Sequence, residues 1–203
     1  PYWFFSQNLN CTNFELVSIK TDIGLVQKNP FTHDLDQTFL ELQDFLSFND
    51  SNFNKALELS KDKKFELILC DISPLGLEVA SRLGIPSVLL ENFTWDWIYD
   101  EYVKIHPKWV DIIEKIREVS DKASLHIQAN PFCSENKDSL KVPPISRSVV
   151  KAPLSIKKSL GCDPNSRLIL LTTGGITTQL DLTHKLKIYP EYTFIVSGDF
   201  REI

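Results

Sequence analysis

The chain has 203 residues, 42% hydrophobic and 24% charged, with a formal net charge of −5; that is the balance of a folded globular protein able to bury a core. Its acidity supplies no basic surface for nucleic acid or an anionic membrane, no apolar run approaches a membrane span, and no signal-peptide pattern opens the sequence. Cys11, Cys70, Cys133 and Cys162 show no Cys-x-x-Cys spacing, so free thiols, no bound metal and a cytoplasmic location are expected.

In chain order, Pro1 to Phe5 is apolar for a free terminus, and the sequence starts without methionine. It ends at Ile203 just after an expected strand, so it reads as an interior segment of a longer protein. Phe14 to Ile19 alternates in polarity and predicts a strand. Asp22 to Asp34, with Gly24, Pro30 and His33, reads as a loop. Leu35, Phe39, Leu42 and Leu46 share one helical face, with Asp34 as the cap. A second helix, Ser51 to Ser60, is expected to bury Phe53, Ala56 and Leu57 before a solvated turn at Ser60 to Lys64.

The centre of the chain is a strand, helix, strand unit. Phe65 to Cys70 and Ser87 to Leu90 are nearly continuous apolar runs, which predicts a parallel sheet with helices on both faces. Leu69 is then expected inside a buried strand, where truncation to alanine costs about 2–5 kcal/mol. Ser73-Pro74 starts the helix, Leu75, Val79 and Leu83 give its apolar face, and Gly84 with Pro86 stops it. Further on, Trp109, Ile112, Ile113 and Ile116 mark a helix, and Ala123 to Ile127 a strand. Asn130 to Pro153, broken by Pro131, Pro143 and Pro144, reads as the connection between two domains, 1–150 and 151–203. The second opens with a helix at Ser155 to Leu160, a strand at Arg167 to Thr172 and another at Thr193 to Ser197. In open α/β sheets ligands bind beyond the carboxyl ends of the strands, which places Asp71 and the Asn92 to Trp97 loop on the ligand side.

Asp71, Pro74, Ala80, Gly84-Ile85 and above all the string NFTWDWIYDEY, Asn92 to Tyr102, resemble the glycosyltransferase-type domain at the N-terminal end of plant L-arabinokinase and its bacterial relatives. Ser124 to Cys133, Lys141 to Arg147 and Arg167 to Gly175 continue the resemblance more loosely. It implies a GT-B architecture, two Rossmann-like domains with acceptor and nucleotide sugar on opposite sides of a cleft, and transfer without a metal. The family's Gly- and His-rich loop after its first strand, and the Gly-rich acidic segment of its donor domain, do not occur here. The first domain is therefore expected to lack its first strand and loop, and the second to be incomplete.

The candidate residues follow from both readings. Asp71 could bind sugar hydroxyls or assist a base, or it could cap the helix that Pro74 starts. Asp96 is the second candidate catalytic carboxylate. Trp95 and Trp97 would face one way on an extended loop, to stack on a sugar or a base or simply to pack. Asn92 and Thr94 could read hydroxyls. Thr173, Gly174 and Gly175 could bring backbone N–H groups to the donor phosphate, or serve as punctuation after a strand. His33, His106, His126 and His184 have no carboxylate partner visible from spacing and are expected to be structural. The expected function is transfer of a sugar from a nucleotide sugar, with UDP-sugars among the candidates, to a hydroxyl acceptor, with no separate cofactor. The alternatives are a non-catalytic sugar- or nucleotide-sensing module, and a nucleotide-sugar epimerase or hydrolase.

Overall fold

The computed structural model describes residues 5, 9, 11, 13–29, 31–149, 151–172 and 183–196. They fall into two compact units, Pro1–Gly24 with Phe39–Pro144, and Leu25–Thr38 with Ile145–Ile203. The elements in order are β1 (Gln27–Asn29), β2 (Thr32–His33), α1 (Leu35–Phe45), α2 (Ser51–Asp62), β3 (Ile68–Asp71), α3 (Pro74–Leu83) and β4 (Ser87–Glu91). Then come α4 (Trp95–Asp100), a 3-10 turn (Glu101–Lys104), α5 (Trp109–Ser120), β5 (Leu125–Ala129), β6 (Leu140–Val142), α6 (Pro153–Ser159), β7 (Arg167–Leu171), α7 (Thr183–Leu186) and β8 (Tyr192–Val196).

The first unit is a four-stranded parallel sheet in the order β3-β4-β5-β6, with helical crossovers from β3 to β4 and from β4 to β5 and a loop from β5 to β6, a Rossmann-like α/β arrangement. Ile68 lies beside Ser87 and Val88 beside Leu125, so one face carries Cys70, Ser87, Leu89, Glu91 and Gln128, all buried. Helix α3 sits on that face. Pro74 opens it at the first helical position and Gly84, at φ 66°, closes it in the left-handed conformation. Gly76 lets it approach the strand: a Cβ there would come within 2.6 Å of Cys70 Sγ. The Ile112, Ile113 and Ile116 stripe of α5 is buried as its periodicity predicts, and Phe39 of α1 meets Trp109 edge-on at 5.4 Å between centroids.

The opposite face corrects an expectation. Leu69, Leu125 and Leu140 are 63%, 42% and 54% exposed, and Val88, Leu90 and Ile127 on the same side are half-buried. Among the described residues, helices cover one face and leave an apolar sheet surface on the other. Leu69 therefore does not occupy the buried position that its apolar run suggested.

Other differences are local. Phe14 to Ile19 joins no strand ladder among the described residues; side chains of α2 hold this stretch instead, with Lys55 Nζ donating to Ser18 O (3.2 Å) and Asn52 bonding both backbone groups of Lys20 (2.9 and 2.7 Å). Helix α2, capped by Asp50 Oδ1 accepting from Phe53 N (2.7 Å), runs through Asp62. Part of the expected solvated turn is thus helical, and Ser60 is buried with its hydroxyl on Ala56 O. The fourth strand of the sheet, β6, lies in the stretch read as a connection.

The second unit contains a short antiparallel hairpin, β1 with β2, in the stretch read as a loop, and a parallel pair, β7 with β8, from Arg167 beside Tyr192 to Leu171 beside Val196. Asp34 caps α1 as expected, its Oδ1 accepting from Gln37 N at 3.1 Å. That hydrogen bond and the Lys28 ammonium at 3.0 Å hold its carboxyl below the usual range. Pro153 starts α6, and Gly161, at φ 67°, follows its end.

Candidate functional site

The carboxyl ends of β3, β4 and β5 gather the residues that the sequence singled out in the first unit. Asp71 ends β3 and is exposed, and its carboxylate has no partner among the described residues. The two readings of Asp71 separate here. Ser73 occupies the N-cap of α3 but turns its hydroxyl to Thr21 O (2.9 Å), and no side chain among the described residues caps that helix. Asp71 is left as an open carboxylate at the ligand end of the sheet.

The Asn92 to Trp97 stretch is only partly a loop. Asn92 is exposed, and its carbonyl accepts from Cys133 N at 2.8 Å, joining the loops after β4 and β5. Thr94 is the N-cap of α4, and Trp95, Asp96 and Trp97 lie within its first turn. Two residues apart on a helix is about 200°, so the tryptophans diverge instead of sharing a side. Trp97 is 44% exposed. Trp95 stacks on Tyr99 at 5.7 Å, meets Phe93 edge-on and donates its indole N–H to Asp22 Oδ2 (3.3 Å). Asp96 accepts from Arg117 Nε at 2.9 Å and ties α4 to α5.

This motif is therefore the hub of the core as well as the rim of the site. Tyr99 is fully buried, its hydroxyl donating to Gly24 O at 2.7 Å; burial first, then the nearby Asp22 charge, pushes its phenol far above the ordinary range. Tyr102 and Tyr99 both pack on Trp109, itself fully buried, with an indole N–H that has no partner among the described residues.

Sequence reasoning missed a second polar group beside the same strand ends. His126 Nε2 lies 3.0 Å from Glu91 Oε1, so His126 does have a carboxylate partner; the pair is formed across neighbouring strands, which spacing along the chain does not show. Gln128 Nε2 donates to the same oxygen and to Ser134 O. Gln128 Oε1 accepts from Asn136 N (2.8 Å), Ser139 Oγ (3.0 Å) and Lys141 Nζ (2.5 Å). The available signal was weak: His126 and Gln128 are two apart in a strand and so share a face, and Glu91 closes an otherwise apolar run. The network buries a carboxylate with partners to spare and folds the loop after β5 back over the sheet.

Thr173, Gly174 and Gly175 lie outside the described residues. Among the described residues no group of three or more His, Cys, Asp or Glu could hold a metal ion, and no helix is long and apolar enough to cross a membrane. What the strand ends offer chemically is an unpaired carboxylate, an exposed amide at Asn92 and an exposed indole at Trp97, groups suited to hydrogen-bonding and stacking on a polyhydroxylated ligand.

No family model matches the chain, and no solved structure does. Among curated proteins it is similar to L-arabinokinase of Arabidopsis thaliana, 24% identical over 181 residues that make up 86% of this chain and 17% of that protein. The chain thus spans 17% of the length of the curated relative it matches. It is a Rossmann-like α/β chain, distantly similar over most of its length to a part of an L-arabinokinase.

Proposed function

We propose that the chain forms the acceptor side, and the start of the donor side, of a GT-B glycosyltransferase-like protein that moves a sugar from a nucleotide sugar to a hydroxyl acceptor. The observation that carries this reading is the unpaired Asp71 carboxylate at the carboxyl end of a parallel strand, where α/β sheets bind ligands. Asp71 takes the acceptor hydroxyl and its proton. Asn92 and Thr94 bond neighbouring hydroxyls, and Trp97 offers its exposed face to a sugar ring. Trp95 and Asp96 position the site, through Tyr99 and Asp22 in one case and Arg117 in the other. Thr173, Gly174 and Gly175, which follow β7 in sequence, supply backbone N–H groups to the donor phosphate.

A second reading rests on the comparison. The similar protein is named for a kinase of L-arabinose, and this chain matches only 17% of it, which suits a sugar-sensing module joined to a separate catalytic part. Calorimetric titration of the wild type and Asp71→Asn with UDP, GDP, ADP, their sugar conjugates and free L-arabinose separates the two. Saturable binding of a nucleotide sugar, weakened about tenfold or more by the substitution as expected for a lost charged hydrogen bond, supports transfer. Binding of the free sugar alone supports sensing. Silence from every ligand sinks both.

A further inference from the structure

Residues 20–24 join no strand ladder among the described residues, yet the first unit clamps them across the carboxyl ends of its strands. Asn52 of α2 bonds both backbone groups of Lys20 (2.9 and 2.7 Å), and the hydroxyl of Ser73, two residues past the end of β3, holds Thr21 O at 2.9 Å. At the far end Tyr99 of α4 donates to Gly24 O at 2.7 Å, and Gly24 lies against Trp95, where a Cβ would come within 3.2 Å of the ring. Asp22 falls between these clamps. It therefore sits between the chain just after β3 and the first turn of α4, which follows β4.

The Asp22 carboxylate is half-buried, and its surroundings leave it incompletely bonded. Oδ2 accepts the Trp95 indole N–H at 3.3 Å, and the carboxylate has no other partner among the described residues. An ionised carboxylate can accept about four hydrogen bonds, and burial without them is costly. Asp50 and Asp96 show the usual solutions, a backbone N–H of Phe53 (2.7 Å) and the Arg117 guanidinium (2.9 Å). The ammonium of Lys20, beside Asp22 in the chain, is spent on Glu41 at 2.9 Å. Asp22 and Asp71 are thus two carboxylates at the same strand ends with open oxygens, and among the described residues neither has an ion pair or a backbone N–H.

We propose that Asp22 is a second ligand-binding carboxylate of the acceptor site, and that Asp22 and Asp71 together select an uncharged sugar over a sugar phosphate or a uronic acid. The inference rests on the acceptor-site reading and adds to it the class of acceptor. A neutral sugar gives hydroxyl protons to both open carboxylates, in short charge-assisted hydrogen bonds. A phosphate or carboxylate on the sugar sets a negative charge against two others at a partly desolvated rim, and like charges so placed cost affinity. The Trp95 indole N–H fixes Oδ2 of Asp22 and leaves Oδ1 for the ligand. An Asp22 that served only to anchor Trp95 would bear equally on every ligand and carry no charge preference.

The test is an NMR titration of the 203-residue chain with D-galactose and L-arabinose, and with D-galacturonate and D-galactose 1-phosphate as charged counterparts. The wild type should bind one of the neutral sugars about tenfold or more tightly than either anion, with shifts at the amides of Asp22, Ile72 and Asn92. Asp22→Asn keeps an acceptor for the Trp95 indole, so its urea midpoint should stay near that of the wild type. It should weaken the neutral sugar about tenfold, as expected for a lost charged hydrogen bond, while the anions bind no worse, so that the preference collapses. A second measurement needs no variant: raising the ionic strength from about 0.05 to about 0.5 M should narrow the wild-type preference by screening the carboxylates. Equal binding of neutral and charged sugars, a uniform loss across both classes in Asp22→Asn, or a preference indifferent to salt would each overturn the inference and leave the transferase reading to its own titration with nucleotide sugars. Silence toward all four sugars overturns it as well, and nucleotide sugars then decide that reading alone.

Discussion

At the scale of single residues, the tightest constraint is the contact of Gly76 with Cys70. Burial pushes the Cys70 thiol up to about 12, so at neutral pH it is an inert apolar side chain packed under α3. A methyl group at position 76 has no room beside Sγ. Gly76→Ala should therefore destabilise by about 1–3 kcal/mol, the usual cost of overpacking, in urea denaturation, and Cys70→Ala in the same chain should recover part of the loss. A neutral Gly76→Ala would mean that α3 stands off the strand. Tyr99 makes the complementary case. Tyr99→Phe keeps the ring stack but strands Gly24 O, and a loss of about 1–3 kcal/mol is expected for an unsatisfied buried acceptor; an unchanged midpoint would show that water reaches that carbonyl. Neither contact was legible in the sequence, because Gly76 and Cys70 read only as helix and strand residues, and Gly24 lies far from Tyr99 along the chain.

At the scale of elements, most of the sheet unit could be read directly. Helices α1, α2, α3 and α5 announced themselves by apolar period and caps, Asp34 and Pro74 among them, and β3 and β4 by their apolar runs. Three things could not be read. The aromatic string after β4 has no helical apolar stripe, so Trp95 and Trp97 looked like loop residues sharing a side, whereas a short helix turns them apart. Strands β1, β2 and β6 are two or three residues long, below the reach of periodicity. Finally, an apolar run does not say which neighbours exist to cover it, which is why Leu69 looked buried. The structure separates it from its register partners: Leu69→Ala should shift stability by no more than about 0.5 kcal/mol, as at a surface position, while Leu89→Ala, 2% exposed in the central strand β4, should cost about 2–5 kcal/mol. Urea titrations of the two variants settle it, and a large loss at Leu69 would mean the face is covered in solution. The site was legible where it depends on strand ends, as with Asp71, and illegible where it depends on lateral pairing, as with His126 and Glu91.

At the scale of the whole molecule, one ion-pair group links helix to helix. Glu78 of α3 is 7% exposed and takes Arg82 Nε (2.9 Å) one turn on and Lys122 Nζ (2.5 Å) beyond the end of α5. Burial opposes its charge, but Lys122 and Arg82 outweigh that and hold its carboxyl below the usual range. A depressed folded-state value means that its stabilisation is present above the unfolded glutamate value, about 4.3, and is lost as pH falls through the folded one. Stability measured against pH should thus fall below about 4.3 more steeply in the wild type than in Glu78→Gln, and parallel curves would remove Glu78 from the acid response. The open face of the sheet has a consequence of another kind. Leu69, Val88, Leu90, Leu125, Ile127 and Leu140 make an oily plane on a body of net charge −5. In dilute buffer mutual repulsion keeps such planes apart; salt screens that repulsion, and sulfate strengthens apolar contact besides. Ionic strength then bears on whether this chain stays in solution as separate molecules or gathers into clusters, and a salting-out curve becomes a gauge of how much of that plane is still bare.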